Sequence, residues 1–175
     1  MDLIEDAGNV VINMPRDQVW EKLRDLSLAH NYVQSVKDTR IDTDKREGVG
    51  ASRTVFLNDG SEMQETVEEW SDGGGFLIRL HKGDKPAVPI FSRFYFRYAI
   101  EDAPGSEGAK TMFRPALLYK TRFGPLGWLL GKLAHSKMAG SAQDVGIAMK
   151  EYYETGQPVS SERFKQLKSA AEASS

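Results

Sequence analysis

Ser52-Arg53-Thr54-Val55-Phe56-Leu57-Asn58-Asp59-Gly60-Ser61-Glu62-Met63-Gln64-Glu65-Thr66-Val67 decides how the rest of the chain is read. Two runs of period two flank Asn58-Asp59-Gly60, which joins them as a tight hairpin. Residues two apart share a sheet face, so Arg53 stands with Val55 and Leu57, and Glu65 with Met63 and Val67. The hairpin makes those two faces coincide. Strand-like segments continue the period at 35–42, 51–57, 62–70, 76–81, 91–100 and 111–119. Ser71-Asp72-Gly73-Gly74-Gly75 and Ala103-Pro104-Gly105-Ser106-Glu107-Gly108 supply further turns, and short links of this kind give antiparallel neighbours. Gly48-Val49-Gly50 offers a bulge or bend to a sheet that curls.

Upstream, the β-branched Val10-Val11-Ile12-Asn13 reads as a strand, and Pro15 then opens a helix in which Val19, Trp20 and Leu23 share one face. Leu26 to Tyr32 reads as a second short helix. Downstream of Phe123-Gly124-Pro125 the helical period continues to about Glu154, where Thr155-Gly156-Gln157-Pro158 stops it. Residues 1–156 thus form one domain, followed by a tail at 157–175. The tail is polar and alanine-rich, with Phe164 and Leu167 as its large apolar residues, and is expected to be weakly docked or frayed.

The 175-residue length and 40% hydrophobic content suit one domain with an ordinary core. A formal charge of -2, from 23 basic and 25 acidic side chains, gives no net field favouring nucleic acid. Cysteine is absent, which excludes disulfides, thiolate nucleophiles and cysteine-ligated metals. The start, Met1-Asp2-Leu3-Ile4-Glu5-Asp6, lacks the basic and apolar regions of a secretion signal, so a cytoplasmic location is the default. No apolar run approaches the ~20 residues needed to span a bilayer.

The long helix carries the argument for a cavity. At ~100° per residue, Gly127, Gly131, Ala134, Met138, Ser141, Ala142, Val145, Ala148, Met149 and Tyr152 fall on one stripe. A helix that only plugs a sheet usually presents Leu, Ile and Phe; small residues leave space, and methionine adapts to irregular contents. The alternative is that bulky sheet residues such as Phe94, Phe96 and Tyr98 fill that space. Leu126, Trp128, Leu129, Leu130 and Leu133 make the helix start apolar on more than one side, so a lid, a dimer contact or peripheral membrane contact would cover it.

Strand alternation places Phe94, Phe96 and Tyr98 inside and Arg93, Tyr95 and Arg97 outside, which argues against base stacking and nucleic acid. Gln64, Thr66 and Glu68 read as an outer face. Arg114 and Lys110 remain unassigned because Pro115 disturbs alternation. His30, His81 and His135 are scattered and read as surface residues. No His-Glu-x-x-His, serine elbow, phosphate loop or paired metal-ligand spacing appears, so neither a metal nor another cofactor is expected.

Ile12-Asn13-Met14-Pro15-Arg16-Asp17-Gln18-Val19-Trp20 resembles the opening of the SRPBCC or START-like superfamily. Gly48-Val49-Gly50-Ala51-Ser52-Arg53-Thr54-Val55, Asp59-Gly60-Ser61-Glu62-Met63-Gln64-Glu65-Thr66-Val67 and Lys150-Glu151-Tyr152-Tyr153-Glu154-Thr155-Gly156 resemble its later motifs, in order, over about Asn9 to Gly156. The resemblance implies an α+β helix-grip fold: a curved antiparallel sheet of about seven strands around a long C-terminal helix, with two short helices after the first strand. It also implies a cavity for hydrophobic or amphipathic ligands. In the superfamily's abscisic-acid receptors an arginine and a glutamate at the positions of Arg53 and Glu65 lie in the pocket wall; a cross-strand ion pair on the solvent face is the alternative.

The expected function is binding or transport of a lipid-, polyketide- or aromatic-like molecule by a monomer or homodimer. Its walls are Arg53, Val55, Leu57, Met63, Glu65, Val67, Phe76, Ile78, Phe94, Phe96, Tyr98, Met138, Ala142, Val145 and Met149. A polyketide cyclase or dehydratase using the same cavity is the enzyme alternative, with Glu65, Arg53 or Tyr98 managing protons or enolate charge. No residue is assigned as catalytic. A protein reaching a membrane or partner through Leu126–Leu133 is the third alternative.

Overall fold

The computed structural model describes residues 3–122 and 124–173, with the backbone alone at 124–134, 136, 137 and 139. Two short strands come first, β1 (Ile4–Ala7) and β2 (Val10–Ile12). Pro15 then precedes α1 (Arg16–Leu23), which buries Val19, Trp20 and Leu23 as its spacing requires. The second short helix is a 3-10 helix (Leu26–Asn31), capped by Asp25, whose carboxylate accepts from Ser27 N at 3.0 Å.

The meander follows as β3 (Val36–Ile41), β4 (Ser52–Leu57), β5 (Glu62–Ser71), β6 (Gly75–Lys82), the two-residue β7 (Lys85–Pro86), β8 (Phe91–Asp102) and β9 (Thr111–Thr121). The described strands form one 9-stranded antiparallel sheet in the order β1-β9-β8-β6-β5-β4-β3, with β2 also on β9 and β7 on β6. Register shifts fall at Val36/Asp38, Val67/Glu69 and Phe91/Arg93, where local twist increases and the sheet can bend. Gly48 and Gly50, expected to supply a bulge or bend, lie in a turn of the β3–β4 connection. At Gly75, φ is 121° and an added Cβ would sit 1.9 Å from Tyr98 O, so the turn into β6 admits glycine alone.

Pro115 acts on its neighbour. Gly8 N donates to Pro115 O at 2.8 Å, but proline has no N–H to return, and the paired strand is broken there into β1 and β2. Arg114 points outward to Glu101 at 2.5 Å, and Lys110 is also exposed, which assigns both faces left open by the sequence.

The long helix α2 (Gly124–Thr155) packs on β1, β2 and β9. At Gly146 an added Cβ would lie 2.7 Å from Val10 Cγ2 and 3.3 Å from Pro115 Cγ, so the absent side chain sets how closely helix and strands approach. Beyond Gly156 the residues expected to be weakly docked or frayed form α3 (Ser161–Ala173), with none of its residues buried. It is tied down by Val159 N to Asn31 O at 2.9 Å and by the ion pairs Arg163–Glu151 (2.7 Å) and Lys168–Asp144 (3.1 Å). Phe164 and Leu167 rest against the main core. Among the described residues, no helix is long and apolar enough to cross a membrane.

Gly146→Leu is expected to lower stability by about 1–3 kcal/mol through overpacking against Val10 and Pro115. Urea unfolding of the variant beside the parent measures it.

Candidate functional site

Arg53 on β4 and Glu65 on β5 are direct register partners, and both side chains point inward, 2% and 8% exposed. Arg53 Nε and Nη2 each lie 2.5 Å from Glu65 Oε2, and Nη1 donates to the Leu26 carbonyl at 2.5 Å. All three guanidinium nitrogens are therefore engaged, and the pair is formally neutral. Desolvation opposes the Arg53 charge, but Glu65 outweighs it and raises the guanidinium pKa.

Three tyrosines close around the pair from separate elements: Tyr32 after the 3-10 helix, Tyr98 on β8 and Tyr153 on α2. Burial raises the pKa of Tyr32 and pushes those of Tyr98 and Tyr153 well above the ordinary value, so all three are neutral donors. The positive charge of Arg53 partly offsets the effect of burial on Tyr32 and Tyr98. The Tyr153 hydroxyl has no hydrogen-bond partner among the described residues, although Tyr153 is only 2% exposed. A buried donor without an acceptor is costly, so a ligand oxygen there would relieve a deficit.

Of the residues expected to line a cavity, Arg53, Val55, Glu65, Val67, Phe76, Ile78, Phe94, Phe96, Tyr98, Ala142 and Met149 are buried. Leu57, Met63, Met138 and Val145 are half-buried and pack at the edges of the core clusters. The bulky-residue alternative holds for one part of the interior. Ring centroids run from Trp20–Trp70 (5.0 Å) through Trp70–Phe76 (5.3 Å) and Phe76–Tyr98 (4.8 Å) to Phe96–Tyr98 (4.6 Å), normal aromatic contact distances. Aromatic rings therefore fill this part of the interior. A hollow of about 220 Å³ opens nearby between Tyr32, Val33, Ser35, Ser141, Val145 and Phe164. A larger one, about 710 Å³, lies between the start of α1 and the β5–β6 turn, where Arg16 pairs with Asp102 at 3.3 Å and Trp20 Nε1 donates to Asp72 at 3.1 Å.

Tyr32 and Tyr153 escaped sequence reasoning. Tyr153 sits about 20° around the helix from Ala142 and Tyr152 about 80°, so the angular signal was present in the stripe. Tyr32 carried no such signal, being placed by the turn after the 3-10 helix. His81, read as a surface residue, is buried: Nδ1 is 2.8 Å from Gly83 O, which can only accept, leaving Nε2 to take the Thr66 hydroxyl at 2.8 Å. His135 is exposed and contacts the buried Asp6 carboxylate, whose other oxygen accepts from Tyr119 at 2.8 Å. Among the described residues no acidic or histidine cluster has metal-binding geometry. The apolar surface at Leu126–Leu133 lies outside the described side chains, as do Gly127, Gly131 and Ala134 of the stripe.

The family described as polyketide cyclase / dehydrase and lipid transport matches residues 7–154. The fold is similar to the crystal structure of Ara h 8.0201, with a TM-score of 0.65 at 13% identity over 87% of this chain and 99% of that one. It is also similar to XoxI from Bacillus cereus (TM-score 0.67, 10% identity, 86% and 96% covered). A protein from Thermus thermophilus gives a TM-score of 0.62 at 19% identity, covering 87% and 99%. At these identities the likeness establishes the helix-grip fold. A comparison with curated proteins finds no match. The span matched to the family stops before α3.

Glu65→Gln strands a buried guanidinium and is expected to cost about 3–5 kcal/mol, whereas Arg53→Met with Glu65→Leu restores most of the loss. Denaturant titration of both variants checks this. The tyrosines set an alkaline limit. Their raised native pKa values mean that the unfolded chain loses protons first, so stability is fully present below about pH 10 and falls above it, by about 1.4 kcal/mol per pH unit for each such tyrosine. A stability profile from pH 8 to 11.5 that stays flat would contradict the placement of these hydroxyls.

Proposed function

The chain belongs to the polyketide cyclase/dehydrase and lipid transport family, and from that premise we propose that it binds an uncharged, largely apolar small molecule between the sheet and α2. The carrying observation is the Arg53–Glu65 pair, buried with three neutral tyrosines in an otherwise apolar interior. Leu57, Met63, Met138 and Val145 supply adaptable apolar contacts, and the Tyr153 hydroxyl supplies a donor for one ligand oxygen.

Charge balance narrows the ligand. Glu65 already neutralises Arg53, and every guanidinium nitrogen has a partner. A ligand carboxylate would add a buried charge without a counter-ion, at a cost of several kcal/mol. A ketone, ester or lactone oxygen accepts from a tyrosine without that penalty.

A cyclase or dehydratase is the second reading, and the protonated tyrosines favour it. Hydroxyls held neutral beside a guanidinium, away from water, are suited to stabilise a developing enolate oxygen. Binding comes first in either reading.

Native mass spectrometry of the protein purified from its own host is expected to show an added small-molecule mass. Titration with the uncharged fluorophore N-phenyl-1-naphthylamine is expected to saturate at one per chain. Methyl laurate should then displace the probe at least tenfold better than laurate. Absence of probe binding, or stronger displacement by the carboxylate, would count against the reading.

A further inference from the structure

Tyr32 lies in a turn and faces the buried ion pair, so its place is set by what grips the turn. The chain leaves the 3-10 helix through Tyr32 N to Ala29 O at 3.2 Å and Val33 N to Ala29 O at 2.8 Å. On one side the grip comes from Asn58, in the turn of the hairpin that carries Arg53 and Glu65. Its Nδ2 donates to Gln34 O at 2.8 Å and its N–H to Ser35 O at 3.0 Å. On the other side stands Val159. Its N–H donates to Asn31 O at 2.9 Å and its carbonyl accepts from Gln34 Nε2 at 3.0 Å, so two bonds bracket Tyr32 from residues 31 and 34.

Val159 lies beyond the span matched to the family, yet it is buried in the core cluster that also holds Tyr32 and Tyr153. Gly156, at a φ of 72°, turns the chain off the end of α2, and Pro158 fixes its own φ just before Val159. With the turn held in this way, the Tyr32 ring stacks on Tyr152 at 6.2 Å and meets Tyr153 edge-on at 6.1 Å. Asn31 Nδ2 adds a bond to the Tyr152 hydroxyl at 3.2 Å.

We infer that residues 157–160 are a strap that seats Tyr32 beside the Arg53–Glu65 pair and keeps water from that pair, with Val159 as a positioning residue of the ligand site. This rests on the binding reading above. With Tyr32 seated, a ligand carboxylate beside the pair stays fully desolvated and is rejected. With Tyr32 loosened, water reaches the pair, the anion keeps part of its hydration, and discrimination between an ester and its acid falls. Burial is the main cause that raises the Tyr32 hydroxyl pKa, so the same loosening brings its ionisation down toward the ordinary value.

Competition of methyl laurate and laurate against N-phenyl-1-naphthylamine on the full chain tests it. Val159→Ala and Gln34→Leu are expected to lower the preference for the ester about fivefold, and to make one tyrosine ionise at lower pH by near-ultraviolet absorbance. Val159→Ile, which keeps both backbone bonds and the apolar bulk, should behave as the parent does. Val10→Ala trims the same two methyl groups from a similarly buried valine on β2 and should keep the parent's preference. If Val159→Ala does not fold, Gln34→Leu carries the test. An unchanged preference or an unmoved tyrosine titration in these two variants, with a parent that discriminates, would overturn the strap and leave the binding site standing. A fall in Val10→Ala as large as in Val159→Ala would also overturn it, since general loosening would then suffice. A parent that binds no probe removes the binding reading and the strap with it.

Discussion

A guanidinium and a carboxylate shut away from water must find every partner inside the protein, and that requirement organises this fold. Arg53 and Glu65 face each other across the β4–β5 ladder, which fixes the hairpin register, because a one-residue slip would put the two charges on opposite faces and strand one of them. The third guanidinium nitrogen needs the Leu26 carbonyl, so the 3-10 helix is held against the sheet at that point. Tyr32 and Tyr98 complete the surround from two further elements. A pair of this kind adds little net stability compared with apolar residues of the same shape, but losing either member is severe. Its main effect is to allow one arrangement of hairpin, turn and sheet.

Much of this could be read from the sequence. Hairpin chemistry at Asn58-Asp59-Gly60 and the alternation around it located the meander and placed Arg53 and Glu65 on one face. Elements formed through distant partners were harder to see. The β1 segment Ile4-Glu5-Asp6-Ala7 has no apolar alternation, and becomes a strand because β9 offers it a ladder from Ala116 to Tyr119. His81 is covered by two-residue β7, too short to carry a pattern. In α3, sparse apolar residues suggested weak docking or fraying; the segment is helical with none of its residues buried, Phe164 and Leu167 meet the core, and charged neighbours find partners on α2. The small-residue stripe left two readings open, space or filling by bulky sheet residues, and the aromatic contacts from Trp20 to Phe96 fit the second for one part of the interior.

The interior therefore combines two regions with different mechanical character. Around Trp70, Phe76 and Tyr98, rings in mutual contact form a stiff wall. Around Leu57, Met63, Met138 and Val145, flexible or branched side chains retain some solvent contact. Such a division sets a fixed wall beside side chains that adapt more readily to their neighbours.

Among the described residues the sheet does not close on itself, and β3 is an edge strand paired with β4. That strand carries Lys37, Asp38 and Arg40 in exposed positions, with a register irregularity at Val36/Asp38. Charge and irregular pairing together make a poor template for a strand from another molecule. The molecule can thus keep an open sheet while resisting edge-to-edge stacking into fibrils.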